Sequence, residues 1–185
     1  EDRVITISRA RGVITFPAQC ILIASTNPCP CGKGKNNGCV CPEIVFKNYQ
    51  RKISGPIIDR IDIWVDVNKV DYKKLAAKTS SGESSETIRR RIVSARLRQT
   101  ARFGKYHITK HYNSEMGAED LEKCVTLTDE ARNILLLSAE KLELSGRSFH
   151  RIMKVAQTIA DLAGSDIIEK EYILEALQYR RKTKE

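Results

Sequence analysis

The stretch ILIASTNP, residues 21–28, decides how the front of this chain is read. Residues 20–25 form a continuous apolar run bounded by polar positions, the pattern of a strand buried on both faces of a sheet. The run predicts a central strand that stops at Asn27 and Pro28. Ahead of it, residues 4–7 and 13–16 are β-rich and are separated by Ser8, Arg9, Ala10, Arg11 and Gly12, which predicts a β-hairpin. Behind it, Ile61, Ile63, Val65 and Val67 alternate with Asp62, Trp64, Asp66 and Asn68, the period of a half-buried strand.

Beyond that point the pattern turns helical. Residues 78–85, rich in serine around Gly82, read as a linker. Residues 86–103 carry Ile88, Ile92, Ala95 and Phe103 on one side and Arg89, Arg90, Arg91, Arg96, Arg98 and Arg102 around the remainder, an arginine-rich helix. Thr128 is placed to cap a second helix, with Asp129 and Glu130 favourable at its positive end and Ala131, Ile134, Leu135, Ser138 and Leu142 at helical spacing. Ser145 caps a third, whose stripe of Phe149, Ile152, Met153, Ala156, Ile159, Ala160 and Ala163 stops at Gly164. Tyr172, Ile173, Ala176 and Leu177 mark a fourth. The expected class is therefore α/β plus all-α. Residues 1–77 form a sheet portion with a hairpin and a cysteine loop, 78–112 a linker and basic helix, and 113–185 a helical bundle.

A chain of 185 residues can bury a sizeable core. With 41% hydrophobic and 30% charged residues, 5 Pro and 10 Gly, its composition excludes a disordered, collagen-like or disulfide-scaffold protein. No apolar run approaches the about 18–20 residues of a membrane span, and no basic stretch leads into an apolar one at the N-terminus. A cytoplasmic location without membrane contact is expected. The opening on Glu1 suggests a piece of something longer. The net charge of +9 is uneven, +6 over residues 1–78, +6 over 79–112 and −3 over 113–185. A basic front and middle fit a polyanion partner, nucleic acid or nucleotide phosphate, or else a solvated basic surface.

Four of the six cysteines, Cys29, Cys31, Cys39 and Cys41, fall in two C-x-C pairs. Two short pairs joined by a turn can surround one tetrahedral ion. Pro28, Pro30 and Pro42 stiffen the pairs, and Gly32, Gly34 and Gly38 permit the turning between them. A structural zinc is the first reading, ahead of an iron–sulfur cluster, two disulfides or four unrelated thiols. A disulfide inside a C-x-C pair is strained and rare in the cytosol. Cys20 and Cys124 read as core thiols, and His107 and His111 as loop residues.

Three motifs occur in one order: ILIASTNP at 21–28, SGPIIDRID at 54–62 and LSGRSFHRIMKVAQTIADL at 144–162, with the cysteine loop between the first two. In that combination nearly the whole chain resembles the Mg-chelatase-like AAA+ ATPases of the ComM, competence-associated type. The resemblance implies the C-terminal part of an AAA+ ATPase module, with residues 113–185 as its helical lid. It implies a homo-oligomeric ring, such as a hexamer, that uses ATP and Mg2+. It also implies a DNA motor active in branch migration or helicase-type translocation, as in natural transformation.

The resemblance makes Asn27 the sensor 1 residue, whose amide can orient a water attacking a γ-phosphate; without the resemblance, an Asn before Pro28 reads as a turn former. It makes Arg60 an arginine finger acting in trans on the neighbouring subunit. The plainer reading of Arg60 is an ion pair with Asp59 or Asp62. Arg147, in the first turn of the helix capped by Ser145, resembles sensor 2, with Arg151 one turn on as the second choice. Either is otherwise a solvated cation.

Arg9 and Arg11 stand where related motors project a hairpin into a central pore, and two cations there suit phosphate tracking. Lys33 and Lys35 in the cysteine loop, and Arg91, Arg98 and Arg102 on the basic helix, would extend the track. The helical arginines have ion pairing or plain solvation as alternatives. Aromatic residues are only 6% and are not interleaved with the cations, so base stacking has little support.

The chain departs from the family pattern in having no G-x-x-x-x-G-K-[ST] and no apolar strand ending in Asp-Glu. The nearest glycine- and lysine-rich string, GKGKNNG, belongs to the cysteine loop. In the resembled family the missing motifs lie upstream, so the isolated chain is expected neither to bind ATP tightly nor to hydrolyse it. Two rival readings stand beside this one: a zinc-stabilised, basic nucleic-acid-binding module without ATPase activity, and the ATPase subunit of a metal chelatase, for which no porphyrin site is evident.

Overall fold

A computed structural model describes residues 4–34, 38–67 and 82–180. The chain divides between Ile53 and Ser54 into two compact units. Its described residues are mixed α/β, with seven α-helices and two small sheets. Part of the expected linker, residues 78–81, lies outside the described set.

The first unit opens with the expected hairpin, β1 (Val4–Arg9) against β2 (Gly12–Pro17). They are antiparallel, in register from Val4 opposite Pro17 to Arg9 opposite Gly12. Ala10 and Arg11 form the two-residue turn. After the cysteine loop, α1 (Glu43–Arg51) follows Pro42 and buries Phe46.

The central strand expected at residues 20–25 is not formed. Residues 18–27 are irregular, and Ile21, Leu22 and Ile23 are 90%, 78% and 89% exposed. A strand buried on both faces draws its stability from hydrogen-bonded neighbours on both edges, and no described segment pairs with this one. Cys20 is accordingly exposed and is not a core thiol.

The second unit begins with α2 (Gly55–Ile58), started by Pro56. Residues 61–67, expected as a half-buried strand, are also irregular. Their alternation meets no ladder among the described residues, and the Trp64 backbone amide donates instead to the Tyr179 carbonyl at 2.8 Å. The long basic helix α3 (Ser85–Lys105) is capped by Ser84, which accepts from the Thr87 amide. A 3-10 turn (Asn113–Glu115) and α4 (Ala118–Cys124) lead through β3 (Thr126–Leu127) into α5 (Asp129–Lys141). Next come α6 (Gly146–Ala163), β4 (Ile167–Ile168) and α7 (Lys170–Gln178).

The local signals work as read. Thr128 accepts from the Ala131 amide and Ser145 from the Ser148 amide. Gly164 closes α6 in the left-handed conformation at φ 83°, where a side chain would be strained. The short parallel pair of β3 and β4 joins the entries of α5 and α7 through Thr126 opposite Ile167 and Leu127 opposite Ile168.

The main core gathers Ala131, Leu135, Ile152, Ala156, Ala160, Ile168, Ile173 and Ala176. Along α6, Ile152, Ala156 and Ala160 recur every four residues, and the two alanines let neighbouring helices approach closely. A second cluster holds Phe103, Met116, Leu121 and Cys124, so Cys124 is the core thiol it was expected to be. No helix among the described residues is long and apolar enough to cross a membrane.

Candidate functional site

In the first unit the sequence builds a cage of four thiols. Cys29 and Cys31 flank Pro30, and the Gly32 amide turns back to the Cys29 carbonyl at 2.9 Å. Gly34 then approaches at φ 76°, where a Cβ would meet the Pro28 ring at 3.3 Å, and its amide donates to Cys29 Sγ at 3.2 Å. The Cys41 amide donates likewise to Cys39 Sγ at 3.4 Å. Cys29 is fully buried.

The four sulfurs lie within 4.8 Å of one another. Cys29–Cys31, Cys29–Cys39 and Cys31–Cys39 are separated by 3.2, 3.5 and 3.7 Å. A tetrahedral ion with metal–sulfur bonds of about 2.3 Å asks for sulfurs about 3.8 Å apart. The cage therefore could hold one metal ion, and backbone N–H groups already point at two of its sulfurs.

Its proton balance is uneven in the sense a dication would exploit. Hydrogen bonds to Cys31, first from the Lys33 backbone and then from the Cys29 side chain, draw that thiol down to about 6. The Cys41 amide also favours the Cys39 thiolate, but desolvation and the hydrogen bonds shared with Cys29, Cys41 and Cys31 prevail and push Cys39 up to about 12. The Cys31 amide likewise favours the Cys41 thiolate, yet burial and the neighbouring Cys31 sulfur raise that thiol. One thiolate forms readily at its neighbours' expense, and a soft dication would stabilise the rest.

Asn27 is exposed, and its backbone carbonyl accepts from the Tyr49 hydroxyl at 3.1 Å. Arg9, the last residue of β1, and Arg11, in the turn, are both exposed at the hairpin tip. Lys33 is exposed on the cysteine loop, and Lys35 lies outside the described residues.

In the second unit Arg151 links the segment that carries Arg60 to the helix that carries Arg147. Arg60 follows α2 and is exposed, its guanidinium turned back to the Pro56 carbonyl at 2.9 Å. It pairs with neither Asp59 nor Asp62. Those carboxylates take Arg180 and Arg151 instead, and Arg151 also donates to the Arg60 carbonyl. Arg147 is exposed in the first turn of α6.

All three arginines chosen on the basic helix are engaged by carboxylates, the ion-pairing alternative. Arg91 makes a two-pronged contact with Glu83 at 3.2 and 2.7 Å, and Arg98 meets Asp166 at 2.9 Å. Arg102 is buried, its guanidinium held by Asp161 and Asn113, and so it cannot face a phosphate backbone. It lies one residue from Phe103, on the side of α3 that packs on α6.

Sequence reasoning missed Arg180 and the Arg102 network. Nothing local marks Arg180. The network does leave a trace, since Gln157 and Asp161 interrupt the apolar stripe of α6 just as Gln99 and Arg102 interrupt that of α3.

The family described as magnesium chelatase, subunit ChlI, matches residues 1–75, and magnesium chelatase, subunit ChlI C-terminal, matches residues 82–180. The chain is 37% identical over 183 residues to the protein YifB of Salmonella typhimurium. It is 35% identical over 182 residues to the competence protein ComM of Haemophilus influenzae and to YifB of Escherichia coli. Each of these alignments covers 97% of this chain and 34% of the relative, so the chain spans about a third of the length of the curated relatives it matches.

Proposed function

The chain belongs to the magnesium chelatase subunit ChlI family, and from that premise we propose that it is the sensor, arginine-finger and lid portion of an oligomeric, ComM-type AAA+ ATPase that remodels DNA. The observation that carries this reading is the neighbourhood of Arg60. The finger candidate and the helix bearing the sensor 2 candidate Arg147 are tied through Arg151, within the portion matched by the two family regions.

In the assembled parent, ATP with Mg2+ supplies the transferable phosphoryl group. Asn27 is proposed to orient the attacking water. Arg147 is proposed to bind phosphate from the lid, with Arg151 as a positioning residue. Arg60 is proposed to stabilise charge developing in the adjacent subunit's site, which makes the ring necessary for turnover.

The four-cysteine cage is proposed to hold zinc, whose preference for four soft ligands in a tetrahedron fits the sulfur spacing. With all four positions filled by protein, the ion is structural. DNA contact is proposed for the hairpin tip at Arg9 and Arg11 with Lys33 and Lys35, following the phosphate backbone without reading bases. A soluble cytoplasmic location is proposed with it.

The test is Arg60→Ala in the full-length parent. ATP turnover should fall by at least about a hundredfold while ATP affinity changes little, since a finger acts on the transition state. Turnover retained in that variant would contradict the finger role of Arg60, whereas a full-length parent that binds DNA but turns over no ATP would favour the basic nucleic-acid-binding module.

A further inference from the structure

We propose that Arg151 and Arg180 clamp residues 59–62 to the first turns of α6, so that the lid helix bearing Arg147 sets the position of Arg60. This rests on the finger reading of Arg60 and deepens it.

The clamp has three grips. Arg180, just past α7, reaches Asp59 at 3.4 Å and donates to the Ser148 hydroxyl at 3.0 Å. Arg151 donates to the Arg60 carbonyl and to Asp62. The Trp64 backbone amide donates to the Tyr179 carbonyl. Both arginine side chains are largely withdrawn from water, 14% and 15% exposed. Their carboxylate partners Asp59 and Asp62 are 45% and 54% exposed, so the pairs are shielded from one side only.

The segment they hold has no regular structure of its own after Ile58, so its placement depends on these grips. Arg60 sits between the two gripped carboxylates, and its own side chain remains exposed. On α6, Arg147 and Arg151 are one turn apart and face the same way, with Ser148 beside them. A shift of that turn on contact between Arg147 and phosphate is carried to Arg60 through Arg151 directly and through Ser148, Arg180 and Asp59. Arg180 keeps one buried nitrogen, Nη1, without a hydrogen-bond partner among the described residues. Leaving that donor unsatisfied costs stability, which the Asp59 and Ser148 contacts of the same side chain offset.

Arg151 and Arg180 are thus positioning residues, and the Asp59–Arg180 pair tests them apart from nucleotide contact. In the full-length parent, Arg180→Ala should lower kcat about tenfold to a hundredfold, with KM for ATP within about twofold. The charge-swapped Asp59→Arg with Arg180→Asp should recover most of that loss. Amide exchange at Trp64 in the 185-residue chain should quicken in Arg180→Ala. If Arg180→Ala prevents ring assembly, Arg180→Lys, which keeps the charge and loses the fork, is read in its place. Unchanged kcat in a parent whose Arg60→Ala variant is inactive overturns the clamp and leaves the finger standing. An active Arg60→Ala parent overturns the finger reading instead. The clamp is then judged on Trp64 exchange, where an unchanged rate overturns it.

Discussion

Arg102 on α3 and Asp161 on α6 meet in a closed ion pair, with both guanidinium ends on the carboxylate and the two side chains 8% and 0% exposed. Asn113 donates to the same carboxylate at 2.8 Å and Gln157 at 3.3 Å. Burial pushes the Asp161 carboxyl up, against the pull of Asn113, Arg102, Gln157 and Gln99. Removing one partner leaves the other charge buried alone. Arg102→Ala should therefore cost about 3–5 kcal/mol by urea unfolding, whereas Arg102→Met with Asp161→Leu should cost far less. Equal losses in both variants would mean that packing, and not charge, is what the site supplies.

The metal cage predicts a stoichiometry. Protein purified without added metal under reducing conditions should carry about one zinc per chain by elemental analysis, and Cys29→Ser with Cys41→Ser should carry none. Stripping the metal should loosen residues 28–34 and 38–43 before the helical unit, because binding energy at such a site is also folding energy. A metal-free wild type, or one holding disulfides, would refute the assignment.

Asp120 predicts a pH dependence. Burial works against its charge, but hydrogen bonds from Lys110 and the Gly117 amide, with the charges of Lys110 and Lys123, hold its carboxyl below the ordinary 3.8. A depressed folded value means the stabilisation is complete above about pH 4 and is lost as pH falls through the folded value. Asp120→Asn should lower stability by about 1–2 kcal/mol at pH 7, and the gap should close as pH falls through the folded value. A gap that persists in acid would place the effect in packing.

What could be read in advance follows the range of each interaction. The ends of α5 and α6 were legible because Thr128, Ser145 and Gly164 act on backbone groups within a turn. The hairpin and the cysteine quartet were legible for a related reason, all their partners lying within 13 positions of one another. Residues 20–25 and 61–67 carry strand-like patterns, yet a strand is defined by a partner that the pattern does not name. Arg102 resembles its solvated neighbours in sequence, and only the helix packed against it at Asp161 makes it a core residue. Arg180 and Asp59, 121 positions apart, gave no local sign of meeting.

The hairpin tip predicts an electrostatic signature. Arg9→Ala with Arg11→Ala removes two exposed cations with no packing duty, so stability should change little. In the full-length parent on single-stranded and branched DNA, the slope of log affinity against log salt should shrink by about 1.4–1.8, alike for all sequences. An unchanged slope with weakened folding would return these arginines to a structural role.

The central claim, that Arg60 completes a phosphoryl-transfer site in the adjacent subunit, is tested most directly by subunit mixing. Full-length Arg60→Ala is combined with a variant lacking an intact phosphate loop, each inactive alone, and ATP turnover is followed as mixed rings form. Turnover should return in part, because some interfaces then join one intact half from each variant. Mixed rings confirmed by mass that remain as inactive as either parent would contradict it.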